Sequence, residues 1–173
     1  KIFCLIILVK PMIIHVKNKN TFIIDDFSFK CCVGENGLNS NKKEGDRSTP
    51  KGLFKLKKLY FRKDRVGVPN CKITKKVITK NIAWCDDSYH KKYNEEIQVF
   101  NIKNRENLYR KDYKYDYLVT ISHNDKRIPL KGSAIFIHLT NDYKPTAGCI
   151  ALKKKDFEIM LKLINQQTKI KIG

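Results

Sequence analysis

Apolar and polar residues alternate in short stretches along much of this chain, the pattern of half-buried strands. Met12–Val16 and Thr21–Ile24 are short apolar, β-branched runs. Phe27–Val33 sets Phe27, Phe29 and Cys31 on one face against Ser28, Lys30 and Cys32 on the other. Gly52–Tyr60 sets Leu53, Lys55, Lys57 and Leu59 against Phe54, Leu56, Lys58 and Tyr60. Lys72–Ile78, Tyr115–Ser122, Ser133–Leu139 and Lys169–Ile172 read as further strands. One stretch breaks the period of two. In Lys154–Ile164, Phe157, Met160, Leu161 and Ile164 fall at i, i+3, i+4 and i+7, one apolar stripe of a helix. Between these elements, Glu35-Asn36-Gly37 and Asp64–Asn70 are turn signals and Asn39–Lys51 is a polar loop with a rigid exit at Thr49-Pro50. Lys80–Tyr93 is expected to be loop, anchored in the core by Trp84. No internal repeat or Pro/Gly/Ser-rich linker interrupts the series. The pattern predicts a mainly β domain with a C-terminal α-helix.

Composition narrows this picture. A length of 173 residues suits one domain, 12–173, preceded by a short apolar segment, 1–11. That segment is read as a strand, an upstream extension ahead of Met12, or the remnant of a signal peptide. Its apolar run, Ile2–Val9, is short and has no Ala-x-Ala-like cleavage site, so it is no convincing signal peptide. No apolar run approaches the roughly 18–20 residues of a transmembrane helix. The formal charge of +19 raises nucleic-acid binding. However, 30 of the 36 cations are Lys, scattered along the chain, and base readers lean on Arg. No specific nucleic-acid partner is expected, only a general attraction to polyanions. The six Cys include no CxxC pair, which disfavours a zinc ribbon or thioredoxin-like site.

Candidate chemistry lies in Ile135-Phe136-Ile137-His138-Leu139-Thr140 and Pro145-Thr146-Ala147-Gly148-Cys149-Ile150. A His ends an apolar strand, and eleven residues later a Cys follows a Gly, just ahead of the predicted helix. A nucleophilic thiol gains thiolate character from a neighbouring imidazole and from a helix N-terminus. Gly148 permits a tight turn in which successive backbone N–H groups face a developing oxyanion. A buried core Cys and an ordinary core His are the alternative reading.

These residues reach a family. Thr146-Ala147-Gly148-Cys149-Ile150, with His138 upstream, resembles the signature of the L,D-transpeptidase (YkuD-type) catalytic domain. Glu44-Gly45-Asp46-Arg47-Ser48-Thr49-Pro50-Lys51-Gly52-Leu53-Phe54 is similar to the family's Gly-Asp-x-x-Thr-Pro-x-Gly-x-Phe element. Trp84-Cys85-Asp86-Asp87, Tyr93-Asn94, Ser122-His123-Asn124-Asp125 and Gly132–His138 resemble a compact branch common in Gram-negative, especially alphaproteobacterial, genomes. The likeness runs from Met12 to Ile172. Two positions depart from it. Ala147 stands where the family often has His, and Ala151 where it often has Arg or Asn.

The resemblance implies a β-sandwich-like fold and cysteine acyl transfer on peptidoglycan stem peptides. It implies Cys149 as nucleophile and His138 as general base. The backbone N–H groups of Ala147 and Gly148 would serve as oxyanion donors, and the Leu139 carbonyl would orient His138. His123, Thr146, Lys51 and Arg127 are the expected substrate contacts, three of them standing in for the missing His and cation. No metal or organic cofactor is needed, carbapenem-type inhibitors are expected to acylate the thiol, and the cell envelope or periplasm is the expected location. L,D-transpeptidation forming 3–3 cross-links is the leading reaction. L,D-carboxypeptidase trimming of tetrapeptide stems and an inert, basic polymer-binding module are the alternatives.

Overall fold

The structure, a computed structural model, describes residues 11–99 and 105–173. The segment 1–10, including Cys4, lies outside the described residues.

The alternating stretches form strands, and their pairing closes on itself. In chain order the strands are β1 (Ile13–Lys17), β2 (Thr21–Ile24), β3 (Phe27–Cys32), β4 (Leu38–Asn39), β5 (Thr49–Pro50) and β6 (Gly52–Phe61). After a one-turn helix α1 (Lys63–Val66) come β7 (Thr74–Val77), β8 (Ile82–Cys85), β9 (Glu96–Gln98) and β10 (Arg105–Asn107). β11 (Tyr117–Ile121), β12 (Phe136–Leu139), β13 (Ile150–Leu152), α2 (Lys154–Leu163) and β14 (Lys169–Ile172) complete the fold.

The main sheet runs β11-β12-β13-β3-β2-β1-β14-β6, with β7 beside β6, and a further β11–β6 pairing joins its ends. The expected β-sandwich is therefore corrected to a closed, barrel-like sheet. The reason is the ten-residue β6. Its Gly52–Lys55 half pairs with β14, while Leu56–Phe61 pairs with β11 across a register shift. One long strand thus serves two neighbours, and closure leaves no open edge on the ring.

Alternation along the barrel wall feeds two cores. Leu59, Val119, Ile137 and Leu139 point into the barrel interior, where Phe157, Met160 and Leu161 of α2 join them. Tyr60, Leu118 and Phe136 point outward into a second cluster with Ile82, Leu108 and Tyr115. β12 is accordingly buried at all four positions and reads as one apolar run.

Over the outer cluster lies a small sheet, β10-β8-β9. This corrects the expectation of loop over Lys80–Tyr93. Ile82–Cys85 is a strand paired on both sides, and Trp84 is the anchor, edge-on to both Phe136 and Tyr60. Its indole N–H donates to Asn94 Oδ1 at 2.9 Å.

Candidate active site

The register of two parallel strands brings the cysteine and the histidine together. β12 pairs with β13 so that Ile137 faces Ile150 and His138 faces Ala151. Cys149 directly precedes that ladder, beside Phe136, whose N–H points at its Sγ at 3.4 Å. His138 is two residues further along β12, on the same outward side, because successive residues alternate between faces. Both side chains line the same cavity. Ala151 lies directly beside His138, and its small side chain leaves that side of the imidazole open.

The loop carrying Cys149 is braced from within and from below. Gly148 has φ +147°, and a Cβ there would come within 2.9 Å of the Ser48 carbonyl, so only glycine fits. Its carbonyl accepts Thr49 Oγ1 (2.8 Å), and Thr49 Oγ1 also accepts the Gly34 N–H (2.8 Å). Thr146 Oγ1 donates to the Cys149 carbonyl (2.6 Å) and accepts the Gly148 N–H (3.1 Å). Thr146 is therefore committed to the loop, and the Gly148 N–H is engaged in this resting arrangement. The helix dipole expected at Cys149 is corrected too. β13 intervenes, and α2 starts only at Lys154. A dipole effect falls off within the first turn.

Beneath this loop lies the Gly-Asp-x-x-Thr-Pro stretch. Asp46 accepts Lys42 Nζ (2.5 Å), the Lys43 N–H (2.8 Å) and both the N–H and hydroxyl of Ser48 (2.9 and 2.7 Å). Burial pushes its carboxyl up, but these donors overcome that and hold it well below the usual carboxylate range. Lys42 is 6% exposed, and its alkyl chain packs beside both Gly132 and Gly148.

Cys149 and His138, the candidate reactive groups, both rest in their neutral forms. His138 Nδ1 meets the Leu139 carbonyl at 2.9 Å. That contact assigns the proton to Nδ1 and leaves the Nε2 lone pair free to accept one. Burial lowers the imidazole to about 4; the Leu139 carbonyl opposes this, and Lys114 and Arg110 add to it. The Cys149 thiol donates to the Ala134 carbonyl at 3.2 Å. It lies at the bottom of a cleft, partly open to it but surrounded by dense protein. Burial pushes the thiol up to about 12, only partly offset by the Phe136 N–H.

Two cavities of about 270 and 280 Å³ meet at Cys149, sharing Glu106, Tyr115 and Ala147. The second holds His138 with Arg110, Lys114 and Lys144. Tyr115 stands edge-on to His138, with ring centroids 5.4 Å apart. A larger cavity of about 620 Å³ lies elsewhere, by Trp84, Lys76 and Gln166. Its Lys57 and Lys76 are matched by Asp125 and Glu96, and it contains neither Cys149 nor His138.

The family model for the L,D-transpeptidase catalytic domain, of the YkuD type, matches residues 12–172. The chain belongs to this family. Among solved structures, the L,D-transpeptidase-family domain is similar in fold to the helical cell shape determining protein Pgp2 from Campylobacter jejuni. That pair is 17% identical with a TM-score of 0.51, covering 94% of this chain and 47% of that one. It is also similar to Bd1075 from Bdellovibrio bacteriovorus, at 15% identity and a TM-score of 0.50, covering 95% of this chain and 48% of that one. The chain thus spans about half the length of these structures. No curated protein matches it at a significant level.

Within this L,D-transpeptidase-family domain, the other expected substrate contacts lie away from the thiol. Lys51 packs against Gly173 at the far end of β6, and its backbone bonds to Asn39. Arg127 is paired with Glu95 at 2.6 Å. His123 Nε2 meets the Lys131 carbonyl at 3.0 Å and its ring stands against Phe54, outside both cavities at Cys149. The groups that do surround the cleft are Lys42, Glu106, Arg110, Lys114 and Tyr115. Sequence reading missed them because Lys42, Arg110 and Lys114 lie in loops, Glu106 in the three-residue β10, and Tyr115 just ahead of β11, none with a periodic signal that aims it at the cleft. Only Lys42 had a clue, its position just ahead of the Glu44–Phe54 motif.

Proposed function

We propose that this domain is a cysteine acyltransferase acting on peptidoglycan stem peptides, an L,D-transpeptidase that forms 3–3 cross-links. The observation that carries this reading is that an Nδ1-anchored His138 and Cys149 line one cavity, with Cys149 at the meeting point of two. The free site holds a thiol near 12 and an imidazole near 4. Burial raises the thiol and lowers the imidazole, and both shifts disfavour a preformed ion pair. Proton transfer therefore accompanies attack.

The thiol turns from the Ala134 carbonyl toward His138 Nε2 and gives up its proton as Sγ bonds to the carbonyl carbon between diaminopimelate and the terminal D-alanine. Ala147 N–H and Cys149 N–H stabilise the oxyanion; Gly148 N–H joins them if Thr146 Oγ1 releases it on substrate binding. His138 returns the proton to the departing D-alanine nitrogen, leaving a thioester. A stem amine in the other cavity attacks the thioester, its proton passes through His138 to the thiolate, and the cross-link is released. Lys114, exposed beside His138 and in no ion pair among the described residues, is the cation for the D-alanine carboxylate.

Mass spectrometry of purified muropeptides incubated with the protein tests this. Cross-linked dimers with loss of D-alanine support transpeptidation. D-alanine loss alone supports the carboxypeptidase alternative, which uses the same thioester with water as acceptor. A carbapenem should add its intact mass to Cys149, since the strained ring needs no carboxylate handle. Cys149→Ala should abolish both reactions at a stability cost of about 1 kcal/mol. Turnover by a well-folded Cys149→Ala protein would overturn the reading. Absence of both adduct and turnover in the native protein would favour the inert, polymer-binding alternative.

A further inference from the structure

One face of the barrel wall, made by β2, β1, β14 and the 52–57 half of β6, contains no Asp or Glu. Its outward positions carry Lys17, Lys169, Lys171, Lys55 and Lys57, and Lys51 stands just ahead of β6 beside Gly173. Lys57 has a carboxylate partner, Asp125. The other five lysines are in no ion pair among the described residues. Asp25 and Asp26 come only in the turn after β2. The register shows how the charges crowd. Lys169 of β14 lies directly opposite Lys55 of β6, and Lys171 lies between His15 of β1 and Leu53 of β6. Like charges directly opposite on a sheet are destabilising, so stability alone does not account for this pair. A cavity of about 470 Å³ opens beside it, lined by Lys55, Lys169, Gln166 and Gln167, with no carboxylate among its described residues.

A second feature of the same face is independent of charge. Leu53, in the midst of these lysines, is 55% exposed. Ile13 and Ile23 are half-buried on the same side, Ile13 beside Lys169 and Ile23 beside His15. The outward positions carry no Arg, Phe, Tyr or Trp. The face therefore has no planar fork for a phosphate and no ring on which a nucleobase could stack.

We propose that this face is a docking surface for an anionic lipid bilayer, its lysines meeting headgroup phosphates and Leu53 entering the headgroup layer. Each lysine near an anionic leaflet adds to the attraction, and an exposed aliphatic side chain adds apolar burial at the headgroup boundary. A soluble polyanion would use the lysines but gain nothing from Leu53. In the eight-strand ring, β14 stands four strands from β13, and β1 four from β12. The face thus lies across the barrel from Cys149 and His138, and a docked domain holds its cleft away from the lipid. Docking needs no turnover, so the inference stands apart from the acyl-transfer reading.

Co-sedimentation with vesicles tests it. The protein should bind vesicles of phosphatidylcholine mixed with phosphatidylglycerol and not phosphatidylcholine alone. Salt at ~1 M should release it, because the screening length there is about 3 Å. Lys55→Gln, Lys169→Gln and Lys171→Gln combined should weaken binding about a hundredfold, the scale of three lysines near a charged leaflet. Leu53→Asn should weaken it by a smaller factor. Lys91, Lys126 and Lys162 are exposed elsewhere, and converting all three to Gln removes the same charge with little expected effect. The first triple variant also relieves the repulsion between opposed lysines, so it should melt no lower than the native protein. Footprinting of the native protein needs no variant. Anionic vesicles should protect Lys55, Lys169 and Lys171 from a lysine-acylating reagent and leave Lys114 and Lys144, at the cleft, as reactive as in solution. No binding to anionic vesicles, equal loss in the two triple variants, or protection centred on Lys114 and Lys144 would overturn the proposal. Binding of soluble polyphosphate without vesicle binding would overturn it too, and would make the partner a soluble polyanion.

Discussion

Thr49 is fully buried and holds two separate segments with one hydroxyl, accepting from Gly34 and donating to Gly148. Thr49→Val keeps the shape but leaves a buried N–H and C=O unpaired. We expect a loss of about 2–4 kcal/mol in chemical denaturation and slower carbapenem acylation, because the Gly148 carbonyl no longer fixes the loop that carries Cys149. His138 gives a different kind of residue-scale prediction. Its folded-state value, about 4, lies below the usual imidazole value of about 6.5. Between those values the unfolded chain binds the proton more tightly, so stability is full above pH 6.5 and falls as pH drops toward 4. The contribution is on the order of 3 kcal/mol. Denaturation at pH 7 and pH 4.5 should show a smaller pH dependence in His138→Gln than in the native protein. His138→Ala should slow acylation by roughly 10² to 10⁴. At this scale Cys149 and His138 were legible because motif order and strand phase both point to them. Their electrostatics were not, since Lys114 and Arg110 reach the cleft from a loop and Glu106 from the short β10, all distant from them in sequence.

Two kinds of element build the site, and they were unequally legible. β12 and β13 are apolar runs whose parallel register places Cys149 beside Phe136 and one step from His138. Of these, β12 was readable as a continuous apolar, strand-length run. β13, only three residues long, was hidden against α2, and that is why a helix N-terminus was expected at the thiol. β8–β10 escaped for another reason. They are three or four residues long, and Asp86-Asp87 follows β8 immediately, which reads as loop. Yet this small sheet holds the wall of the cleft through Asn94. Its Oδ1 accepts Trp84 Nε1 and the Ala134 N–H, while its Nδ2 donates to the carbonyls of His123 and Asn124. Ala134, held at φ +50°, in turn presents the carbonyl that receives the Cys149 thiol. A non-glycine residue in that region costs about 1 kcal/mol or more and persists only when its neighbours fix it. Asn94→Ala should therefore let Ala134 relax. We expect destabilisation of about 2–4 kcal/mol, faster labelling of Cys149 by a small thiol reagent, and slower turnover. Labelling and turnover that both match the native protein would show that the Ala134 carbonyl does not hold the thiol.

At the scale of the whole molecule, closure of the barrel decides how the domain stands or falls. β14 is the last strand in sequence but sits inside the ring, parallel to β1 and antiparallel to β6. It supplies Ile170 and Ile172, at 0% and 2% exposure, to the interior core. A sandwich would tolerate loss of an edge strand by leaving one sheet shorter. A closed ring has no such strand to give up: without β14, β1 and β6 both lose a partner and the interior opens to water. Each fully buried aliphatic side chain is worth about 1.5–3 kcal/mol, and the two ladders are lost with it. That total rivals the ~5–15 kcal/mol by which a domain is usually stable. Removing residues 169–173 should therefore abolish cooperative folding. The near-ultraviolet circular dichroism of Trp84 should vanish and carbapenem adduct formation on Cys149 should cease, although the site lies on the other side of the ring. A truncated protein that still melts in one sharp transition and still forms the adduct would show that β6–β11 pairing alone keeps the barrel shut.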